Sequence, residues 1–111
     1  ICPACALPAL PHGASQDLVT AGAYATLYNV LGYPTGVVPV TRVRPDEEQP
    51  RKSALDSMVK AARRTEIGSA GLPIGVQVVA RPWREHIALA AMRAIEADAR
   101  VRSDYPAAPP V

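Results

Sequence analysis

The chain has 111 residues, of which 49% are hydrophobic and 5% aromatic, and its 12 Lys and Arg against 10 Asp and Glu give a net charge of +2. This length allows one domain at most, and the interspersed charges do not indicate a nucleic-acid partner. No apolar run approaches the ~20 residues of a membrane span, so we expect any membrane contact to come from residues outside this chain.

Residues 1–10 are apolar and interrupted by prolines, which predicts the end of a buried strand followed by an extended loop. Because the sequence begins at Ile1, inside this run and without Met, we expect a fragment of something larger or a processed chain. Cys2 and Cys5 form a Cys-x-x-Cys pair, but prolines follow it and neither His completes a zinc pattern. We therefore expect two buried cysteines, no metal and no cofactor.

Ser15 and Asp17 are typical of a helix N-terminus, and the apolar spacing that follows predicts a helix over residues 15–31. Its apolar stripe contains Val19, Ala23, Leu27 and Val30. Gly22 and Thr26 lie four residues apart on a neighbouring stripe of small residues. Either another element packs closely against Gly22, or the stripe forms the wall of a cavity, and spacing alone favours close packing.

A hinge from helix to strand follows at Gly32 and Pro34, since glycine suits the left-handed position after a helix and proline cannot continue one. Residues 36–43 are predicted to form a strand that is buried on both faces. Pro39 withholds one ladder donor, so it is expected at a bulge or an edge. Residues 44–52 are charged and polar, which predicts a solvated loop.

A second helix is predicted over residues 54–64, a turn and strand over residues 68–80, and a last helix over residues 85–102. Gly75 within the strand indicates a close backbone approach. The apolar face expected of the last helix contains Ala88, Ala91, Met92, Ile95 and Ala99. Residues 104–111 are expected to fray. The predicted class is α/β, ordered strand-helix-strand-helix-strand-helix, with connections long enough for parallel or mixed pairing.

No complete active site can be assembled from these residues. The chain has serines but no Gly-x-Ser-x-Gly elbow, and no His or Lys is placed by sequence to activate one. The Gly68-Ser69-Ala70-Gly71 segment precedes a strand rather than a helix, so we interpret it as a turn. We predict no catalytic residue in this chain.

Two segments carry a resemblance: LYNVLGYPTGVVPV at residues 27–40 and GLPIGVQVVARPWRE at residues 71–85. They resemble the C-terminal part of the amidase signature family, and the first is closest to the branch that hydrolyses fatty acid amides. The similarity extends over nearly the whole chain.

The resemblance implies a mixed sheet flanked by helices and an amide hydrolase whose Ser nucleophile, bridging Ser and Lys base lie in a region outside this chain. It implies that Gly22, Thr26 and Met58 bind the acyl chain of a fatty amide substrate. Gly22 and Thr26 are smaller or more polar than the aliphatic residues usual there, and Met58 replaces an aromatic residue. The implied partners are the rest of the amidase domain and a membrane surface contacted by regions outside this chain; a homodimer is left open.

By the same resemblance the protein is expected to be intracellular and associated with the endoplasmic reticulum membrane. Two alternatives stay open at this point. One is an amidase signature enzyme that acts on a different amide, and the other is a non-catalytic paralogue that binds lipid or a protein partner.

Overall fold

The computed structural model describes residues 1–53 and 55–107. Its three strands, in the sheet order β1-β3-β2, are β1 (Cys2–Pro3), β2 (Thr35–Arg42) and β3 (Pro73–Val79). Its helices are α1 (Ala23–Leu31), α2 (Ser57–Glu66) and α3 (Glu85–Ala99). Two short 3-10 turns, Ala14–Gln16 and Val19–Gly22, precede α1. The α/β class and the alternation of strands and helices are confirmed.

Both neighbouring pairs of strands are antiparallel, although the long connections also allowed parallel pairing. The connection from β2 to β3 does not cross the sheet. Val43 donates its N–H to the carbonyl of Leu72 (2.9 Å), and its own carbonyl accepts from the N–H of Gly71 (2.8 Å). Residues 44–70 therefore leave and rejoin the sheet at one end, and this return makes β3 antiparallel to β2.

The end of α1 is confirmed and its beginning is not. Gly32 adopts φ 65° and donates to the carbonyls of Asn29 and Tyr28, so the helix stops at the predicted hinge. The predicted start at Ser15 is wrong, because the chain leaves the helical region at Leu18 (φ −121°, ψ 34°) and makes two 3-10 turns first. Leu18 is buried there, and its burial takes precedence over a continuous helix.

The pairing of β2 with β3 confirms the predictions made for Pro39 and Gly75. Pro39 pairs with Gly75 and Thr41 with Ile74, which leaves a bulge after Pro39, on an edge strand. A Cβ added at Gly75 would lie 2.8 Å from Cγ1 of Val37 and 3.0 Å from the carbonyl oxygen of Val38, so the backbones do approach closely. The prediction that β2 is buried on both faces is wrong for the described residues.

The two valines at the start of β2 show why. Val38 is buried, whereas Val37 remains 53% exposed. In the described residues α3 packs against β2, and it contributes the predicted face: Ala88 and Ala99 are buried and Ala91, Met92 and Ile95 are half-buried. A sheet covered by a helix on one face buries alternate residues only.

The second helix begins later than predicted. The Asp56 carboxylate accepts the N–H of Val59 (3.0 Å) and caps α2, so the helix starts at Ser57. Leu55 precedes it and is exposed, and the predicted first residue, Ala54, lies outside the described residues.

The two ends of the chain are held to this fold by different contacts. Only Cys2–Pro3 of residues 1–10 is strand, and Leu7 and Leu10 pack against the core cluster of Leu18, Ala21 and Ala62. At the other end, Thr41 donates its hydroxyl to the carboxylate of Asp104 (2.6 Å). Of the predicted tail, residues 108–111 lie outside the described residues.

Candidate functional site

Gly22 is the residue immediately before α1 and Thr26 lies in its first turn, and the two share one side of the helix. The Thr26 hydroxyl donates to the carbonyl of Gly22 (3.1 Å), one helical turn back. A Cβ added at Gly22 would meet nothing within 4 Å. Within the described part of the chain, no neighbouring element packs closely against Gly22, and the space beside this turn is open.

Met58 lies in a cleft of about 130 Å³ between the start of α2 and the turn that precedes α1. Met58 is 46% exposed, and its sulfur accepts the Thr20 hydroxyl at 3.6 Å. The described lining of this cleft comprises Ala6, Leu7, Leu18, Thr20, Ala21, Arg51, Met58 and Ala62. The structure therefore does not bring Met58 into one cleft with Gly22 and Thr26. Ala21 lines this cleft, whereas Gly22, the next residue of the chain, does not.

Sequence analysis did not single out Thr20, Ala21 or Arg51. The spacing of three between Leu18 and Ala21 could have indicated that both face the core. No local signal marks Arg51, because it stands in a charged loop that resembles any solvated segment.

Helix α1 is apolar and yet has no buried residue. The predicted stripe along it is exposed, with Val30 at 79% and Val19 and Leu27 also exposed. We call this surface the α1 face and define it as Val19, Tyr24, Leu27, Val30 and Leu31. Contiguous apolar surface of this kind usually marks an interaction or binding surface.

Gln77 positions α1 against the sheet. Its side chain is 1% exposed, in the central strand β3, and its amide nitrogen donates to the carbonyl of Tyr24 (3.4 Å) and contacts the sulfur of Cys2 (3.7 Å). A buried amide needs such partners, because an unpaired polar group is costly inside a protein. This contact ties the first turn of α1 to the middle of the sheet.

The Gly68-Ser69-Ala70-Gly71 segment is a turn, as predicted, with Gly68 and Gly71 at positive φ. Ser69 is buried and donates its hydroxyl to the carbonyl of Glu66 (2.7 Å), which satisfies the C-terminal end of α2. The N–H groups of Gly68 and Ala70 both donate to the Glu48 carboxylate, and these bonds hold the pKa of Glu48 below its usual range. The turn's free N–H groups are therefore already occupied.

Cys2 and Cys5 are free thiols, each half-buried. Among residues 1–53 and 55–107, no group of three or more His, Cys, Asp or Glu side chains could hold a metal ion. Within the same residues no helix is long and apolar enough to cross a membrane.

Comparison with known proteins identifies the class to which this fold and its apolar surface belong. The profile of the amidase family matches residues 1–89, so the chain belongs to the amidase family. It is 38% identical over 99 residues to fatty acid amide hydrolase 1 of Caenorhabditis elegans, and that alignment covers 86% of this chain and 17% of the relative. It is 39% identical over 93 residues to fatty-acid amide hydrolase 1 of Sus scrofa, covering 80% of this chain and 16% of that relative. The chain thus spans about one sixth of the length of these relatives.

Proposed function

We propose that this chain is part of a serine hydrolase that cleaves fatty acid amides, with water, into a fatty acid and an amine. The observation that carries the proposal is the identity of 38% and 39% to two proteins named for that activity. By the family resemblance, the Ser nucleophile, the bridging Ser and the Lys base belong to a region outside this chain. The role proposed for these 111 residues is to bind the acyl chain.

The open side of α1 at Gly22 and Thr26 supports this role. An acyl chain is a run of methylenes, and each methylene moved from water to an apolar surface contributes about 0.8 kcal/mol. A helix turn without a large side chain at Gly22 leaves room for such a chain. Met58 would contact it farther on, in the cleft that Ala21 also lines. Binding energy from this remote part of the substrate would hold the amide group in place for attack.

The rest of an amidase domain is the proposed partner of the α1 face. Five large apolar side chains on and beside one nine-residue helix are exposed in the described chain, which is unfavourable unless another surface covers them. The relatives have about five sixths of their length outside the matched segment, which is ample to supply that surface. We further propose that membrane association, where it occurs, comes from regions outside this chain.

The test is a chimera in which this chain replaces the aligned segment of the Sus scrofa relative. If the proposal is right, the chimera hydrolyses a long-chain amide such as oleamide. A second version carries Leu27→Asp and Val30→Asp on the α1 face and should lose folding or activity. A matched control carries Leu89→Asp, since Leu89 is an equally exposed apolar residue on α3.

A monodisperse chimera that hydrolyses no amide would contradict the proposal. A chimera that hydrolyses short amides but not oleamide would favour the alternative of a different amide, for which the small Gly22 and polar Thr26 give a specific reason. Equal tolerance of all three aspartates would show that no protein surface covers the α1 face.

A further inference from the structure

Residues 44–53, which we call the strap, lie in the connection from β2 to α2 and are bonded to the rest of the fold at Glu48 and Arg51. Glu48 accepts from the N–H of Gly68 (2.7 Å) and from that of Ala70 (3.1 Å), so the strap is attached to the turn before β3. A charged segment of this kind is usually solvated and free. Here the Glu48 carboxylate takes the place of water as the acceptor for the N–H groups of Gly68 and Ala70.

Arg51 is the most strongly held residue of the strap. The Glu66 carboxylate accepts its backbone N–H (2.8 Å) and its Nε–H (2.8 Å), and lies 2.6 Å from its terminal nitrogen. Arg63 donates to the Arg51 carbonyl (2.5 Å). Charge-assisted bonds to a planar guanidinium fix direction as well as distance. The same bonds from Arg51 hold the pKa of Glu66 below its usual range.

Arg51 also lines the cleft that contains Met58. Leu18, Ala21 and Ala62, the core cluster, lie in that cleft, and Arg51 is the charged residue among its described lining. Because its guanidinium is bound to Glu66, the part of Arg51 left to face the cleft is its three-carbon stem, which is apolar. The exposed fraction of the Arg51 side chain is 44% against 17% for Glu66, so Arg51 borders the cleft at the surface.

We propose that Arg51 is a specificity-determining residue, whose stem, held by Glu66, forms the end wall of the Met58 cleft and limits the length of acyl chain that fits. The inference deepens the proposed function and rests on it, since it assumes that an acyl chain enters this cleft. The acyl chain would contact the stem of Arg51, and Glu66 would act through Arg51 as a positioning residue.

The test uses the chimera described above and measures the ratio of kcat/KM for a long-chain amide to that for a short-chain amide. Arg51→Ala removes the wall and should raise this ratio about tenfold or more. Arg51→Lys keeps the stem and should leave the ratio within about threefold of the parent. Glu66→Gln should raise the ratio by a smaller factor and speed tryptic cleavage within the strap. Lys52→Ala, at the next residue of the strap, is the control for the ratio and should leave it unchanged. Because it removes a tryptic site, cleavage is compared only between the parent and Glu66→Gln.

An Arg51→Ala chimera that loses the same factor on both amides would overturn the proposal and leave Arg51 a purely structural anchor. So would an Arg51→Lys chimera that behaves like Arg51→Ala, because Lys keeps both an aliphatic stem and the positive charge, so only the guanidinium bonds to Glu66 would then matter. Binding of a long and a short free fatty acid is measured in parallel. If the folded parent hydrolyses neither amide, the proposed function fails by itself, and the ratio of the two dissociation constants decides the role of Arg51 by the same criteria.

Discussion

Under the proposed function, filling the open side of α1 should shorten the acyl chain that the chimera accepts. The two variants are Gly22→Ile and Thr26→Leu. Gly22 has φ −87° and ψ 7°, which an L residue can adopt, and a new Cβ meets no atom within 4 Å. Gly22 precedes the first residue of α1 and makes no side-chain cap bond. Replacing glycine there should cost up to about 1 kcal/mol of folding free energy. Thr26→Leu removes only an exposed bond from a hydroxyl to the carbonyl one turn back.

The effect on selectivity follows from methylene contacts. If the added side chain displaces about two methylenes of a long acyl chain, the loss is about 1.6 kcal/mol at about 0.8 kcal/mol each. That corresponds to about fifteenfold in kcat/KM. A short amide that does not reach this turn should lose nothing by the same mechanism. A folding defect would lower turnover of the long and the short amide by the same factor. A change in the ratio of their kcat/KM values therefore reports displacement of the acyl chain alone.

The assay measures kcat/KM for amides of increasing acyl length on the chimera and on both variants. Ala23→Ile is the matched control, because it adds similar volume about 100° around the same helix. We expect the long amide to lose at least about tenfold more than the short one in Gly22→Ile and Thr26→Leu. Equal losses at all lengths, or the same profile in Ala23→Ile, would refute a channel wall at Gly22 and Thr26.

Four further predictions concern stability and activity. Gly75→Ala should cost about 1–3 kcal/mol in urea unfolding, since its Cβ would lie within 3.0 Å of the neighbouring strand; an unchanged midpoint would contradict the close approach. Gln77→Leu should speed amide hydrogen exchange in α1, because the bond to the Tyr24 carbonyl is lost; unchanged exchange would show that this bond does not hold the helix. Arg51 lowers the pKa of Glu66, so its contribution to stability is present above the unfolded-state pKa and lost as the pH falls. Glu66→Gln should therefore flatten the loss of stability below about pH 5, and an unchanged slope would exclude Glu66 as its source. Finally, the isolated chain should hydrolyse no amide, and turnover by purified protein, or labelling of a serine by a fluorophosphonate, would contradict this.

Local sequence predicted those features that depend on the backbone of one or two residues. Gly32 ends α1 and Pro39 lies at a bulge, because φ and the missing proline N–H act wherever the chain places them. Gly75 was likewise expected to mark a close approach. The apolar face of α3 followed from a helical period sustained over fifteen residues. The motifs at residues 27–40 and 71–85 indicated the family before any fold was considered.

Tertiary contacts decided the features that depend on residues far apart in the sequence. Leu18 is buried against Ala62, more than forty residues away, and that contact breaks the helix that local spacing predicted. The antiparallel direction of β3 depends on the pairing of Val43 with residues 71 and 72, which no local pattern encodes.

The strap and its cleft belong to the same category. A charged loop is indistinguishable from a solvated one until Glu66 is found beside Arg51, and the Met58 cleft exists only where two separate segments meet. The sequence by itself thus determined where α1 ends and to which family the chain belongs, because backbone preferences and motifs are local. The assignment of Arg51 to a cleft wall depended on the tertiary structure, because burial and charge pairing are properties of neighbours in space.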